Sequence, residues 1–269
     1  MDREKIRSTL LQSLEEAGKI LKETIFERRI VAQKSELSLV TETDKRSEEL
    51  IVKTILKNFP DHAIITEESP ARGKSPYRWI IDPLDGTTNF AHTYPLACVS
   101  IALEDKGEVI FGGVYDPFRG ELFYAEKGRG ATLNGLPLVV SQNPNLGQSL
   151  LATGFPYDRR QHPDEYLAVF RAFMLRVHGI RRTGAAAIDL CYVAAGRFDG
   201  FWEQKLHLWD LAAGLLIIEE AGGKLSDFAG RPLSLLDLDS TVIPQTVASN
   251  GFIHNEMLEV LRPFASMGK

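Results

Sequence analysis

The apolar run Trp79-Ile80-Ile81 leads straight into Asp82-Pro83-Leu84-Asp85-Gly86-Thr87-Thr88-Asn89. Proline fixes φ and has no N–H to donate, so a strand reaching Asp82 is expected to stop pairing and turn. The turn would present the Asp82 and Asp85 carboxylates together with the Leu84 carbonyl. These are hard oxygen donors, the kind magnesium takes. Gly86-Thr87-Thr88 then reads as a helix start, whose unpaired N–H groups and positive dipole end suit a phosphate. One short segment would thus supply both cation ligands and an anion cradle. Asp-Gly alone would be no more than a capped turn, since Asp, Pro, Gly and Asn are ordinary turn residues. It is the full run, placed behind a buried strand, that reads as functional.

Two further acidic clusters have weaker meaning on their own. Glu67 and Glu68 follow the apolar run Ala63 to Thr66, and in isolation a glutamate pair is a surface feature. If the strands ending at Thr66 and Ile81 are neighbours in one sheet, their acids converge on one cation site. Asp210 opens the apolar stretch after Trp209, where capping alone would explain an acid.

The elements that must position these groups show in the periodicity. Ile6, Leu10, Leu14, Ala17, Leu21 and Ile25 fall at three- and four-residue spacing, the stripe of an amphipathic helix. A second helix is expected from Thr41 or Thr43, with Thr41 and Asp44 as a capping box and Pro60 as the stop. Its buried face would be Leu50, Ile51, Ile55 and Phe59. Strands are expected over Ala63 to Thr66, Trp79 to Ile81, Leu96 to Leu103, Val109 to Tyr115 and Glu121 to Ala125, with turns at Gly107, Pro117 and Gly120. Helices follow over Asp164 to Arg176, Ala185 to Ala195 and Leu211 to Ala221. Strands over Phe198 to Glu203 and Val247 to Asn250, then a closing helix, complete the pattern. The mixture in both halves gives an α/β layered or α+β class. The loop from Asn143 to Gly147 is the best boundary: residues 1–145 would carry the metal and phosphate site, and residues 146–269 one metal ligand and the substrate contacts, within one compact unit.

Bulk properties narrow the function. With 269 residues, 44% of them hydrophobic, there is material for a large core. The net charge of −5 speaks against broad nucleic-acid binding, which needs a basic surface. An anionic small substrate stays open, because bound cations reverse the local sign of a site. Cys98 and Cys191 are the only cysteines, too few for a disulfide framework or zinc cluster, and read as reduced core thiols. No apolar run is long enough to cross a membrane and none behind Met1 resembles a signal segment, so a cytoplasmic protein is expected.

Taken together, Glu67-Glu68, Asp82 to Asn89, and Trp209-Asp210 followed by Glu220-Ala221-Gly222-Gly223 resemble the inositol monophosphatase family, from about Lys34 to Gly223. The resemblance implies a layered α/β/α/β/α sandwich, a homodimer, and a magnesium-dependent, lithium-sensitive phosphatase with two or three Mg2+ per active site. It implies metal ligation by Glu67, Asp82, Asp85, Asp210 and the Leu84 carbonyl. Thr87, partnered by Asp44, would position an attacking water together with Glu67. The N–H groups of Gly86, Thr87 and Thr88 would hold phosphate. On the substrate side it implies Asp85 and Glu203 for hydroxyls, with Gly184 and Ala186 as a small-residue wall. The chain departs from the family pattern at Ala185, where serine or threonine is frequent, and at Lys205, where glycine is frequent. Lys34 roughly fits a lysine of a mobile N-terminal loop, one residue out of step. The implied partner is a small phosphorylated polyol or sugar, inositol monophosphate first. Fructose 1,6-bisphosphate, histidinol phosphate, other sugar monophosphates and adenosine 3′,5′-bisphosphate are alternatives; neither nucleic acid nor membrane is expected.

Competing chemistries fit less well. Aspartyl-phosphate phosphatases of the haloacid dehalogenase type place one residue between their two aspartates, whereas two stand between Asp82 and Asp85, against a covalent route. There is no Walker-type loop and no Gly-x-Ser-x-Gly elbow. The histidines lack zinc spacing, leaving His92 and His207 as supporting or surface residues. A binding scaffold is the reading from another class, with Arg159-Arg160 and Arg181-Arg182 as contacts. Paired arginines are more often solvated or in dimer salt bridges, and converging carboxylates are costly without metal.

Overall fold

The computed structural model describes residues 2–27, 31–33, 39–233 and 242–267. Helix α1 (Arg3–Thr24) buries the expected stripe, with Ile6, Leu10, Leu14, Ala17, Leu21 and Ile25 all nearly inaccessible. A small ribbon, β1 (Val31–Gln33) against β2 (Leu39–Thr41), leads into α2 (Glu42–Asn58). Thr41 caps α2 and Asp44 completes the capping box. The buried face of α2 differs from expectation. Ile51 and Ile55 are buried, but Leu50 and Phe59 are only half covered, and the polar Thr43, Asp44, Ser47 and Glu48 take the inner positions. Polar groups are tolerated there because they hydrogen-bond to the end of a neighbouring strand, described below.

The first sheet runs in spatial order β3 (Ala63–Thr66), β4 (Tyr77–Asp85), β5 (Cys98–Asp105), β6 (Glu108–Asp116), β7 (Glu121–Glu126), β8 (Ala131–Leu133) and β9 (Leu136–Pro137). Between β4 and β5 sits the short helix α3 (Thr87–Ala91). Only β3 and β4 pair in parallel, Thr66 opposite Ile81. The second sheet joins β10 (Leu150–Thr153), β11 (Gly179–Arg181), β12 (Gly200–His207), β13 (Lys224–Ser226) and β14 (Val242–Ser249) in the order β11-β10-β12-β14-β13. Helices α4 (Pro163–Met174), α5 (Ala186–Ala194), α6 (Leu208–Glu220) and α7 (His254–Leu261), with two short 3-10 helices at Leu146–Gln148 and Arg262–Phe264, complete the described elements.

Side-chain alternation along the strands builds the layers. In β4, Trp79 and Ile81 pack with α1 and α2, while Ile80 faces α5 and α6. In β12, Phe201 faces α5 and α6, while Trp202 packs with Phe173 of α4 and Met257 of α7. The result is helices, sheet, helices, sheet, helices, the expected α/β/α/β/α sandwich. Cys98 and Cys191 are free thiols buried in the central layer.

Strand β4 does not stop at Asp82 as the proline suggested. It stays paired with β5 as far as Asp85 opposite Cys98, with a register shift between Asp82 and Asp85. Such an irregularity spares Pro83 a ladder bond it cannot make. The Pro83 carbonyl instead accepts from the Ser47 hydroxyl of α2 at 2.8 Å. Strands β1, β2, β8 to β11 and β13 were not anticipated, because two to four residues give too few alternations to register.

Candidate active site

Glu67 follows the end of β3, and Asp82 lies one residue past Ile81 on β4; the strands are parallel neighbours. The condition for convergence is therefore met. Eleven of the twelve expected site residues line one cavity of about 130 Å³, with Asp44 directly behind its wall. Glu67, Asp82, Leu84 and Asp85 form one side, and Asp210 at the start of α6 closes it. Glu203, Gly184 and Ala186 line the same cavity, with the Gly184 to Ala186 segment beside Asp85 and Gly86.

Backbone amides hold the acids in place. Asp82 Oδ1 accepts from Leu84 N–H at 2.9 Å and Asp210 Oδ2 from His207 N–H at 2.7 Å. Asp85 Oδ2 accepts from Ala187 N–H at 2.7 Å, at the start of α5. Burial pushes the Asp82 carboxyl well above the usual range, and the charges of Glu67, Asp85 and Asp210 push it further. Asp85 is pushed up to about 8, by burial and then by Asp210, against the Ala187 hydrogen bond.

Among the described residues, no three acidic, histidine or cysteine side chains are already drawn into metal-holding geometry. The donor set nonetheless fits a hard divalent cation: it is all oxygen, its negative charges oppose one another, and Asp82, Asp85 and Asp210 each commit one oxygen to a backbone amide. Residues able to hold the ion are Glu67, Asp82, Asp85, Asp210 and the Leu84 carbonyl.

The raised Asp85 carboxyl has a measurable consequence. In the unfolded chain it ionises near its ordinary 3.8, but in the folded protein only near 8. Its stabilising contribution is complete below 3.8, declines as pH rises and is lost through about 8. A bound cation must displace that proton. The gain in Tm on adding magnesium is therefore expected to be larger at about pH 9 than at about pH 6, measured by thermal unfolding. An equal gain at both would contradict the assignment.

Gly86 caps α3 at φ +93°, and a Cβ there would lie 3.0 Å from the Leu96 carbonyl oxygen. Glycine is required for this tight entry. The N–H groups of Gly86, Thr87 and Thr88 precede any intrahelical acceptor and edge the cavity. The Thr87 hydroxyl lies 3.2 Å from Asp44 Oδ1 and 3.0 Å from the Leu84 carbonyl oxygen, and can donate to either. Asp44 Oδ2 accepts from the N–H and the hydroxyl of Thr41. Burial raises the Asp44 carboxyl, and these hydrogen bonds oppose the rise.

Burial drives the Glu203 carboxyl well above its usual range, opposed by the positive charge of Arg182. Ala185 caps α5 without a side-chain hydrogen bond; a serine or threonine there could supply one. Lys205 has φ +56°, a left-handed conformation that favours glycine. That accounts for glycine in the family pattern. His207 caps α6 and stacks on Trp209 at 4.8 Å, both at the cavity edge, whereas His92 ends α3 outside it. Arg159 and Arg182 line the cavity, whereas Arg181 is exposed at the end of β11. Lys34 lies outside the described residues.

Several contributors escape sequence reasoning. Glu48 of α2 is buried and accepts at Oε2 from the Thr66 hydroxyl (2.6 Å) and Glu68 N–H (3.0 Å), gripping both neighbours of Glu67. Asp189 of α5 is a buried acid at the cavity, held by the Thr183 hydroxyl at 2.7 Å. A Cβ on Gly154 would sit 2.0 Å from Glu203 Oε1, so only glycine leaves room for that carboxylate. Tyr157 also lines the cavity. The sequence points to loops near Gly154 to Arg160 for leaving-group contacts without placing them, and Gly154 to Tyr157 and Arg159 prove to line the cavity.

The chain also matches known proteins over most of its length. The inositol monophosphatase family model matches residues 2–261. The chain belongs to the inositol monophosphatase family. It is 48% identical over 225 residues to an inositol-1-monophosphatase of Synechocystis sp., covering 83% of this chain and 76% of that protein. It is 46% identical over 228 residues to the Nus factor SuhB of Pseudomonas aeruginosa, covering 82% and 84%. The solved inositol monophosphatase of Anabaena (Nostoc) sp. superposes with a TM-score of 0.87 at 40% identity, covering 98% of this chain and 97% of that one. Membership of the inositol monophosphatase family supports a metal-dependent phosphatase. Among the described residues no helix is long and apolar enough to cross a membrane.

Proposed function

We propose that the protein hydrolyses the phosphate monoester of a small cyclitol or sugar, inositol monophosphate first, with water as nucleophile and magnesium as cofactor. The observation that carries the reading is the meeting of two kinds of group in one cavity: mutually repelling carboxylates at Asp82, Asp85 and Asp210, and the free amides that open α3. Magnesium, when bound, supplies Lewis acidity that activates a water and neutralises the leaving alkoxide. Glu67, Asp82, Asp85, Asp210 and the Leu84 carbonyl would hold it. Thr87, donating its proton to Asp44, keeps a lone pair directed to the water, and Glu67 orients the same water. The Gly86, Thr87 and Thr88 amides hold phosphate oxygens where charge develops. Asp85 and Glu203 accept hydroxyls of the alcohol, while Gly184 and Ala186 keep the wall shallow. The P–O bond to the alcohol breaks as water oxygen bonds to phosphorus, and the alcohol leaves with a proton. The same reading carries two or three Mg2+ per site, lithium sensitivity, a cytoplasmic homodimer, and a site shared between residues 1–145 and 146–269.

The test is phosphate release with and without EDTA from inositol 1-phosphate, fructose 1,6-bisphosphate, histidinol phosphate and adenosine 3′,5′-bisphosphate. Magnesium-dependent turnover supports the reading, and the order of kcat/KM ranks the alcohols. A folded, magnesium-binding protein inert on all four would favour a binding role, the second reading, which the Nus factor relative keeps in view. Within the enzyme reading, Glu203→Gln is expected to lower kcat/KM for inositol 1-phosphate about tenfold, the size of one hydrogen bond to a charged group. Turnover of p-nitrophenyl phosphate, which lacks the hydroxyls, is expected to change little. Equal losses on both would remove Glu203 from substrate selection.

A further inference from the structure

The segment joining β10 to α4, residues 154–162, supplies five lining residues of the cavity, Gly154 to Tyr157 and Arg159. It has no regular secondary structure beyond turns. What fixes it is Asp158. One carboxylate oxygen, Oδ2, forms an ion pair with Lys205 Nζ of β12, and the other, Oδ1, accepts from the Tyr166 hydroxyl of α4 at 2.6 Å. The carbonyl of Asp158 also accepts from Gln161 N–H at 2.8 Å, closing the turn on itself. Asp158 thereby ties the loop to strand β12 on one side and to α4, which follows it in the chain, on the other.

Lys205 reaches Asp158 from an unusual backbone. Its φ of +56° lies within a strand, flanked by paired Gln204 and Leu206. A long side chain persists in that conformation only where its surroundings over-determine it. Here the visible determinant is the ion pair to Asp158. Next to Asp158, Tyr157 keeps half its surface exposed, while its hydroxyl is raised by burial and by Glu67, Asp210, Asp85 and Asp82. Tyr157 is thus a partly exposed residue of the cavity lining, directly beside the anchored Asp158.

We propose that Lys205 is a specificity-positioning residue: through Asp158 it pins the 154–162 strap, whose Tyr157 lines the cavity, and restricts the cavity to compact phosphate monoesters. The inference rests on the phosphatase reading of the cavity. It differs from it in placing selection for the size of the alcohol on an ion pair outside the reacting groups. Lys205→Gly removes the charge while giving the backbone a residue that suits φ +56°, so folding is not put at risk. Asp158→Asn removes the same pair from the other side.

The experiment measures kcat/KM with magnesium for glycerol 2-phosphate, a compact monoester, and for adenosine 2′-monophosphate, a bulky one. It uses the full chain, Lys205→Gly, Asp158→Asn, the double variant and Lys205→Arg. Both single variants are expected to shift the bulky-to-compact ratio upward by about fivefold, with the double variant no further, as for two residues acting through one contact. Lys205→Arg, which keeps the charge, is expected to retain the parent ratio. Amide hydrogen exchange in residues 154–162 should quicken in both single variants and not in Lys205→Arg. An unchanged ratio, additive effects or unchanged exchange would each overturn the proposal. Failure of the parent chain to hydrolyse either ester would instead count against the phosphatase reading, leaving the exchange measurement to judge the strap alone.

Discussion

Asp85→Asn is expected to lower magnesium-dependent turnover by about a thousandfold or more while leaving the fold intact, because a cation's several kcal/mol of charge stabilisation goes with its ligand. Asparagine retains a carbonyl for the Ala187 amide, which Asp85 now receives at 2.7 Å. The neighbouring Cys98 Sγ, 3.8 Å away, meets a group of nearly the same shape. What disappears is a buried charge facing Asp210 and Glu67. The stability result should therefore run opposite to the activity result. In metal-free buffer above about pH 8, where the parent carboxyl is ionised, the variant is expected to melt higher than the parent. Near pH 4, where the parent holds its proton, the difference should vanish. Adding magnesium should raise the Tm of the variant less than that of the parent. Full turnover in Asp85→Asn would remove this residue from the metal assignment, and a collapse of the fold would show that its carboxylate is structural.

That opposition between stability and activity explains which parts of the molecule could be read from sequence. The stripe of α1 and the capping box of α2 obey local rules, and both appear where the spacing places them. The α/β/α/β/α layering follows from alternation in the strands, so it too is legible once the family resemblance supplies an order for them. The acids of Asp82 to Asp85 were legible because they break a local rule: apolar strands do not end in unpaired charge without a use. Pro83 misled in the same place, since sequence cannot show that an irregular pairing with β5 and the Ser47 hydroxyl would absorb it.

Residues that act only across long separations stayed hidden. Asp189 reads as an ordinary helical acid, and Glu48 as a solvated position on an amphipathic helix, until β3 and α5 are seen beside the cavity. Gly154 matters only because Glu203, on a strand paired with its own, needs the space of the missing side chain. Lys205 is the reverse case. As a departure from the family pattern it was visible, but its φ and its hold on Asp158 are tertiary facts.

Thr87→Ala is expected to reduce kcat by about a hundredfold or more, in the range of a lost acid–base or water-positioning group, while KM changes by less than about threefold. The reasoning is geometric. Thr87 stands at the first position of α3, where alanine is as acceptable to the helix, and its amide remains to hold phosphate. Its hydroxyl has two acceptors, Asp44 Oδ1 at 3.2 Å and the Leu84 carbonyl at 3.0 Å. Donation to Asp44 leaves the oxygen free to accept from a water and the Leu84 carbonyl free for a cation. Donation to Leu84 would instead engage the carbonyl needed for the cation, so Asp44 acts by biasing the hydroxyl toward itself. Asp44 lies 43 residues away in sequence and serves first as the partner of Thr41 in the α2 cap. Its two oxygens thus divide between folding and chemistry. Asp44→Asn should keep much of the cap, because the asparagine carbonyl can still accept from Thr41, yet lose the bias on Thr87. If the pair acts as a unit, Thr87→Ala combined with Asp44→Asn is no slower than Thr87→Ala alone. Thr87→Ser, which keeps the hydroxyl, should recover most of kcat. A loss confined to KM, or strictly multiplicative effects in the double variant, would show that Thr87 serves binding alone and that Asp44 is only a cap.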